Sequence, residues 1–360
     1  MSKMLEETRQ QPAALAHTLD EGLATLNDLR RQFEANRPRL VVLVARGTSD
    51  NAAQFGRYLI EITTRIPVSL AAPSIVTLYE SPLDLTGVLV VGISQSGEST
   101  DTNAVLEDAR RRGAATVGIT NEPRSRMARI AENVLLARAG REESVAATKT
   151  YTCQLMALYL LAFALGGPVS LEVLRHLPGW VDRVLDLEER IGEIAERYTF
   201  MSRAVTVGRG LNYANALELG LKLMETCYVV AERFSPADLM HGPIALVERS
   251  FPVFVFAPSG VTWPSMSALL DRLEELKAET LVITDESNPE AASKPARLIQ
   301  LPIETVSHEA LSNGAIPGPR DLYTPIPYVV PAQIFAAQLA AIKGLNPDRP
   351  RALHKVTRTM

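Results

Sequence analysis

Apolar positions follow two rhythms along this chain. Over residues 4–36, Leu15, Leu19, Leu23, Leu26, Leu29 and Phe33 recur at helical spacing with few β-branched neighbours, which predicts one or two helices leading into a domain. From residue 40 the rhythm becomes short, unbroken apolar runs alternating with amphipathic stretches. An apolar strand over 40–45 meets Arg46-Gly47 and then Thr48-Ser49-Asp50, which reads as the cap of a helix. Strands over 67–73 and 87–94, a helix over 99–113 and a strand over 114–120 follow. Strands that are apolar throughout and separated by helices bury both faces, so they predict a parallel sheet covered on each side.

The second half repeats this grammar. Residues 203–232 read as strand, Arg209-Gly210, helix; residues 251–260 read as a strand closing on Ser259-Gly260; a helix over 265–277 and a strand over 280–284 follow. Arg46-Gly47 and Arg209-Gly210 stand 163 positions apart, as do Ser96-Gly97 and Ser259-Gly260, while Thr120 and Thr284 differ by 164. Three landmarks in one register predict an α/β protein of two tandem three-layer α/β/α units, each a parallel sheet flanked by helices, related by internal duplication. The expected division is an N-terminal helical segment 1–36, a first domain 37–175, a helical connector 176–194, a second domain 195–345 and a tail 346–360.

Composition narrows the function classes. Hydrophobic residues make up 46% and charged residues 22%, as in a soluble globular protein. The net charge of −4 advertises no nucleic-acid or anionic-membrane partner. Arg110, Arg111 and Arg112 end an amphipathic helix and read as its solvated face. Cys153 and Cys227 lie in apolar helical stretches without CxxC spacing, which fits small core residues in a reducing compartment. The start of the chain is polar and charged, with no apolar leader, and the run 155–167 is too short for a membrane span and ends on glycines and Pro168, as a buried helix would. These features predict a cytoplasmic location and no membrane partner.

One stretch carries candidate chemistry. "SQSGEST" (94–100) follows a buried-looking strand, at the carboxyl end where parallel α/β sheets bind ligands and helix N-termini offer backbone N–H groups to anions. Gly97 permits a tight turn, while Ser94, Gln95, Ser96, Ser99 and Thr100 are uncharged donors suited to a phosphate that must bind and leave. A serine-rich capped turn explains the same residues equally well. Gly47-Thr48-Ser49 at the other strand end, and residues 143–152, add to the phosphate reading. Neither a GxxxxGK[ST] loop nor a complete GxGxxG is present, so nucleotide triphosphates and dinucleotides are unsupported. The copy "APSG" keeps Ser259-Gly260 but loses the flanking hydroxyls, which suggests that one half holds the phosphate and the other supplies something else.

In that other half, Glu218, Lys222 and Glu225 fall at i, i+4 and i+7 on one helix face. Pattern alone favours a solvated face with a salt bridge. His241 interrupts an apolar context at His241-Gly242-Pro243, where a structural histidine fits somewhat better than a catalytic one, and His17, His176 and His308 have ordinary surroundings. Lys355, in a Pro-containing tail, could fold over a site, although a frayed terminus is the simpler reading. No cluster of metal-ligand spacing is visible, and no cofactor is implied.

Taken together, "RGTSDNAA", "ISQSGESTDT", "SVAATKTYT", "ELGLKLMETCY", "ADLMHGPIALVE" and "RALHKVT" resemble the sugar isomerase (SIS) domain proteins, and more narrowly the two-domain isomerase half of glucosamine-6-phosphate synthase and the stand-alone isomerase-type glucosamine-6-phosphate deaminases. The resemblance covers nearly the whole chain. It implies two SIS-type units and a hexosamine 6-phosphate whose phosphate is held by Ser94, Gln95, Ser96 and Ser99, with Gly47, Thr48, Ser49, Val145 and Ala147 along the sugar. It also implies Glu225 as the carboxylate moving hydrogen between C1 and C2, Lys222 polarising the enediol-like intermediate, His241 opening the ring from the partner subunit of a homodimer, and Lys355 approaching the carbonyl carbon.

Ser2 stands where the synthase has a nucleophilic cysteine, Ala147 replaces a synthase-type serine, and Arg46 and the ending "KVTRTM" look more like the deaminases. The expectation is therefore deamination of glucosamine 6-phosphate to fructose 6-phosphate and ammonia, without glutamine-dependent synthesis. The alternatives are a deglycase or isomerase acting on fructosamine or galactosamine phosphates, and a non-catalytic sugar-phosphate sensor.

Overall fold

The computed structural model describes residues 2–294, 297–303, 320–353 and 355. His308, Pro295, Ala296, His354 and the last five positions of the tail lie outside them. The chain divides into two compact units. One, here the first-sheet unit, comprises Ala13–Glu142, Ala147–Arg175 and Leu353–Met360; the other, the second-sheet unit, comprises Met1–Pro12, Glu143–Ala146 and His176–Ala352. The amino-terminal helical segment is thus shared out, its first dozen residues with the second-sheet unit and the rest with the first.

The first-sheet unit runs α2 (Gln11–Ala35, entering from α1, Lys3–Arg9), β1 (Leu40–Val44), α3 (Thr48–Thr64), β2 (Val68–Leu70), α4 (Ser74–Thr77), β3 (Val88–Ser94), α5 (Thr100–Arg111), β4 (Ala115–Thr120), α6 (Arg126–Ile130), β5 (Asn133–Leu136) and α7 (Lys149–Ala164). All pairings are parallel, in the order β2-β1-β3-β4-β5. Every residue of β3 is buried, as a central strand covered on both faces requires. The register sets Ser94 of β3 beside Thr120 of β4 at the carboxyl edge. Helix α7 is apolar all round and packs on α3, so the run 155–164 is core, as its length and flanks predict.

Helices α8 (Leu171–Leu185) and α9 (Glu188–Glu196), interrupted around residues 186–187, occupy the stretch expected to be a connector, and from His176 onward they belong to the second-sheet unit. The second-sheet unit continues with β6 (Arg203–Val207), α10 (Tyr213–Cys227), β7 (Val230–Phe234), α11 (Pro236–Met240), β8 (Pro252–Phe256), α12 (Trp263–Glu275), β9 (Glu279–Asp285), α13 (Pro289–Ala292), β10 (Arg297–Leu301) and α14 (Pro325–Ile342). Its sheet is again wholly parallel, in the order β10-β9-β8-β6-β7. Numbered from its own first strand, that is the same 2-1-3-4-5 order as the first sheet, so the duplication expected from the 163-residue offset is carried by topology. Helix α12 begins two residues before its expected start because Pro264 is tolerated in a first helical turn.

Helix α14 went unread in the sequence. It is the described helix long and apolar enough to cross a membrane, with a mean hydropathy of 1.4, and 83% of it is buried inside the protein. It packs on α9 and α10, and its Phe335 meets Phe254 and Tyr198 at ring-centroid distances of 5.1 and 5.4 Å, closing the second core. Cys153 and Cys227 are free thiols, and burial pushes them up to about 12 and about 11, which makes them packing residues and not nucleophiles.

Candidate active site

In an open parallel sheet of order 2-1-3-4-5, the chain leaves β1 and β3 in opposite directions, and their carboxyl ends frame a crevice. In the first-sheet unit that crevice is lined by Gly47-Thr48-Ser49 after β1 and by Gln95-Ser96-Gly97 after β3. The expected Thr-Ser-Asp cap is absent. Gly47, at φ +58°, precedes α3, and Thr48 and Ser49 already lie within the helix. Neither Gly47 nor Ser99 caps its helix with a side chain, so the first-turn amides of α3 and α5 are not consumed that way.

The loop after β3 is tied down from within. Ser94 Oγ accepts from Gly97 N–H at 3.1 Å and Ser96 Oγ accepts from Glu98 N–H at 3.3 Å. A hydroxyl that already accepts from backbone keeps its own proton to donate, so these two serines are oriented as donors. Asn121 N–H and Thr120 Oγ1 hold the Gln95 carbonyl at 3.0 and 3.3 Å, and Asn103 Nδ2 holds the Gly97 carbonyl at 3.0 Å. Gly97 itself sits at φ +64°, and a Cβ there would fall 2.2 Å from Ser125 Oγ. Only glycine fits that position. Ser99 Oγ pairs with Thr102 Oγ1 at 3.0 Å, and Ser49 Oγ, buried, accepts from Gln154 Nε2 at 3.0 Å. Arg46 Nη2 meets Asp101 Oδ2 at 2.7 Å and so neutralises the carboxylate in the first turn of α5.

Beside this loop lies a cavity of about 380 Å³ lined by Gln95, Ser96, Glu98, Glu122, Arg124, Ser125, Glu142 and Lys355. Lys355 is thus placed at the loop rather than in a frayed tail, with its Nζ 2.8 Å from Glu142 Oε2. Glu142 was not singled out in the sequence. It is fully buried, and it accepts Thr148 N–H (2.9 Å), Thr150 N–H (3.2 Å) and Thr150 Oγ1 (2.7 Å) at the N-terminus of α7. Burial works against its charge, but Lys355 and the threonine donors outweigh it and hold the carboxyl below the usual glutamate value. Its signal in the sequence was an acid six residues ahead of Thr148-Lys149-Thr150, beyond the three-residue window of a capping box. Ala147 is half-buried in the same approach to α7.

In the second-sheet unit the charged face of α10 is buried, not solvated. Lys222 is 1% exposed; its Nζ lies 2.6 Å from Glu225 Oε2 and 3.4 Å from Glu218 Oε1. Burial opposes the charge on Lys222, but Glu218 and Glu225 outweigh it and raise its pKa above the ordinary lysine value. A lysine so held is a fixed cation, not a base. Glu225 is 23% exposed while Glu218 is wholly buried, so Glu225 is the member of the triad that a ligand can reach. Val145 belongs to residues 143–146, which this unit holds through Glu7. That carboxylate, buried on α1, accepts the N–H groups of Glu143 and Ser144. His241 follows α11 directly; its ring is exposed and makes no hydrogen bond among the described residues.

The duplicate crevice of this unit carries different chemistry. Ser259 Oγ is paired with Ser287 Oγ at 2.7 Å, and Ser287 Oγ in turn donates to Asp285. Asp321, buried near Gly210, is pushed up to about 6 by its burial. A carboxylate at the end of β9, Asp285, and another beside Gly210, Asp321, disfavour a phosphate.

Fold and site together define a duplicated, doubly wound α/β protein with a hydroxyl-lined crevice in its first-sheet unit. Residues 36–164 and 201–316 match the SIS domain, and the chain belongs to that family. It is 37% identical over 362 residues to the glutamine–fructose-6-phosphate aminotransferase [isomerizing] of Pyrococcus horikoshii, covering 98% of this chain and 57% of that protein. It is 35% identical over 368 residues to the Gloeobacter violaceus protein of the same name, at 98% and 58% coverage. The chain therefore spans a little over half the length of these curated relatives. Among solved structures, the C-terminal domain of glucosamine-fructose-6-phosphate aminotransferase from Francisella tularensis superposes with a TM-score of 0.85 at 27% identity, covering 97% of this chain and 98% of that one. Glucosamine-6-phosphate deaminase from Thermotoga maritima gives a TM-score of 0.78 at 25% identity, with 99% and 100% coverage.

Proposed function

We propose that the chain is a phosphosugar isomerase acting as a glucosamine-6-phosphate deaminase. One step joins the names of its relatives, isomerizing aminotransferase and deaminase: hydrogen moves between C1 and C2 of an open-chain hexose phosphate. The observation that carries the reading is the buried Lys222 beside the reachable Glu225. A carboxylate that removes a proton alpha to a carbonyl needs a fixed positive charge close by, where the electrons accumulate.

In this reading Ser94, Gln95, Ser96, Ser99, Thr48 and Ser49 take the phosphate and the adjoining sugar hydroxyls through neutral donors. Glu225 removes the C2 proton from the aldehyde form, and the electron pair moves onto O1 under the field of Lys222. The nitrogen lone pair then drives return of the proton to C1, and a proton passing from nitrogen to O1 leaves a 1-hydroxy imine at C2, which water hydrolyses to fructose 6-phosphate and ammonia. Lys355 supplies a second cation to the reacting carbonyl, and His241 opens the ring. Its exposure beside Met240 (46%) and Leu246 (53%) supports a homodimer in which a second copy covers this apolar surface.

The test is ammonia and ketose release from purified protein given glucosamine 6-phosphate. Release of both supports the reading. If no 2-amino-2-deoxyhexose 6-phosphate yields either product, and fructose 6-phosphate is not isomerised, the reading falls. For the dimer, equimolar mixing of inactive Glu225→Gln and His241→Asn chains should restore activity if the histidine is donated across a two-fold axis; no restoration would refute it.

A further inference from the structure

The buried carboxylate of Glu142 has a use that helix capping alone does not require. Its Oε1 is occupied by the backbone N–H groups of Thr148 and Thr150, and its Oε2 by Thr150 Oγ1 and by Lys355 Nζ at 2.8 Å. Three uncharged donors from the start of α7 would satisfy a cap; the fourth partner is an ammonium from a residue 213 positions away. That ammonium faces the same cavity as Gln95 and Ser96 of the hydroxyl loop. A carboxylate with every lone-pair direction committed cannot shift, and a buried one left without its cation is strongly disfavoured. The geometry points to Glu142 as a positioning residue: it seats the tail lysine at the edge of the phosphate loop and fixes where its cation acts. The role in turnover rests on the deaminase reading above, whereas the seating of Lys355 does not.

The experiment separates the two. Amine labelling of Lys355 by an acetylating reagent at fixed pH, read by peptide mass spectrometry with exposed Lys277 as internal standard, needs no substrate. In Glu142→Gln the labelling rate of Lys355 is expected to rise by about tenfold or more, because the pair that holds it is broken. Thr150→Val, which removes a cap hydrogen bond but keeps the ion pair, should leave that rate within about twofold of the parent. If Glu142→Gln does not fold, Glu142→Asp, which withdraws the carboxylate by one methylene, carries the same expectation. An unchanged rate in the folded variant overturns the proposal, whatever the enzyme's activity.

Where turnover is measurable, Glu142→Gln is expected to lower kcat on the order of 10²-fold with little change in KM, the size of effect a misplaced catalytic group produces. A cycle with Lys355→Met then excludes a merely structural role. Once the lysine is gone, removing the carboxylate should cost no further kcat; additive losses would show that Glu142 acts through the fold and not through Lys355.

Discussion

Beyond β3 the chain continues Gln95-Ser96-Gly97, and beyond β8, at the same place in an identical strand order, it continues Ala257-Pro258-Ser259-Gly260. In the first crevice the serine oxygens accept from backbone and keep their protons to give away. In the second, the hydroxyl of Ser259 is committed to Ser287 and that of Ser287 to Asp285, and Asp321 adds another buried carboxyl. A doubly wound sheet makes a crevice wherever its strand order reverses, but only the side chains decide whether an anion is welcome there. The second unit carries its own buried charge cluster instead on α10, where Lys222 and Glu225 meet at 2.6 Å.

Single substitutions put this contrast to the test. The largest effect is expected from Glu225→Gln, which should lower kcat by roughly 10²–10⁴-fold while sugar-phosphate affinity, measured by calorimetry, stays within a few-fold of the parent. A joint loss of binding would place Glu225 in the anion site and blur the division between the units. Gly97→Ala comes next. With φ +64° and Ser125 Oγ 2.2 Å from the new methyl, the loop must shift, and KM should rise by roughly 10²-fold with kcat less affected.

Asp321→Asn tests the second crevice. The folded-state pKa of about 6 lies above the ordinary 3.8, so the folded protein binds the proton more tightly than the unfolded chain does. Stability is thereby lost as pH rises from 3.8 towards 6, and the asparagine removes that loss. Urea midpoints should show the variant more stable by up to about 3 kcal/mol above that window and level with the parent below it. Equal midpoints at both ends would mean that Asp321 ionises as an exposed acid does. Ser96→Ala is the mildest change, with phosphate affinity expected to fall about tenfold, the worth of one hydrogen bond to a charged group. A matching Ser259→Ala should leave phosphate affinity untouched.

The elements legible in the sequence were amphipathic helices with one apolar stripe, central strands patterned on both faces, and one edge strand, β2, bounded by prolines. Strands β1, β3, β4, β6, β8 and β9 read as unbroken apolar runs because helices cover them on each side. Edge strands β5, β7 and β10 are short or alternate between buried and exposed residues, so they carry little signal. Helix α14, with Pro327 and Pro331 among its apolar residues, has no polar face from which a helical period could be read. At the site, the serine loop stood out as small donors around a glycine after a strand, a pattern that a capped turn shares, so the sequence alone did not choose between the two readings. The i, i+4, i+7 spacing of Glu218, Lys222 and Glu225 was visible too, but its burial was not, since spacing alone cannot tell a solvated face from a sequestered one. Glu142 could not be read from local pattern, because the partner that gives it meaning is supplied from the far side of the second sheet's sequence.

That last separation has a consequence for how the protein is made. A polypeptide leaves the ribosome in order, and the hydroxyl loop, α7 and Glu142 are all translated long before the lysine that meets them. A nascent chain stopped anywhere in the intervening stretch would hold the hydroxyl loop and a Glu142 carboxylate without its lysine. The pair at Glu142 closes only when synthesis has passed residue 355, so the last charge at this cavity is answered late in translation.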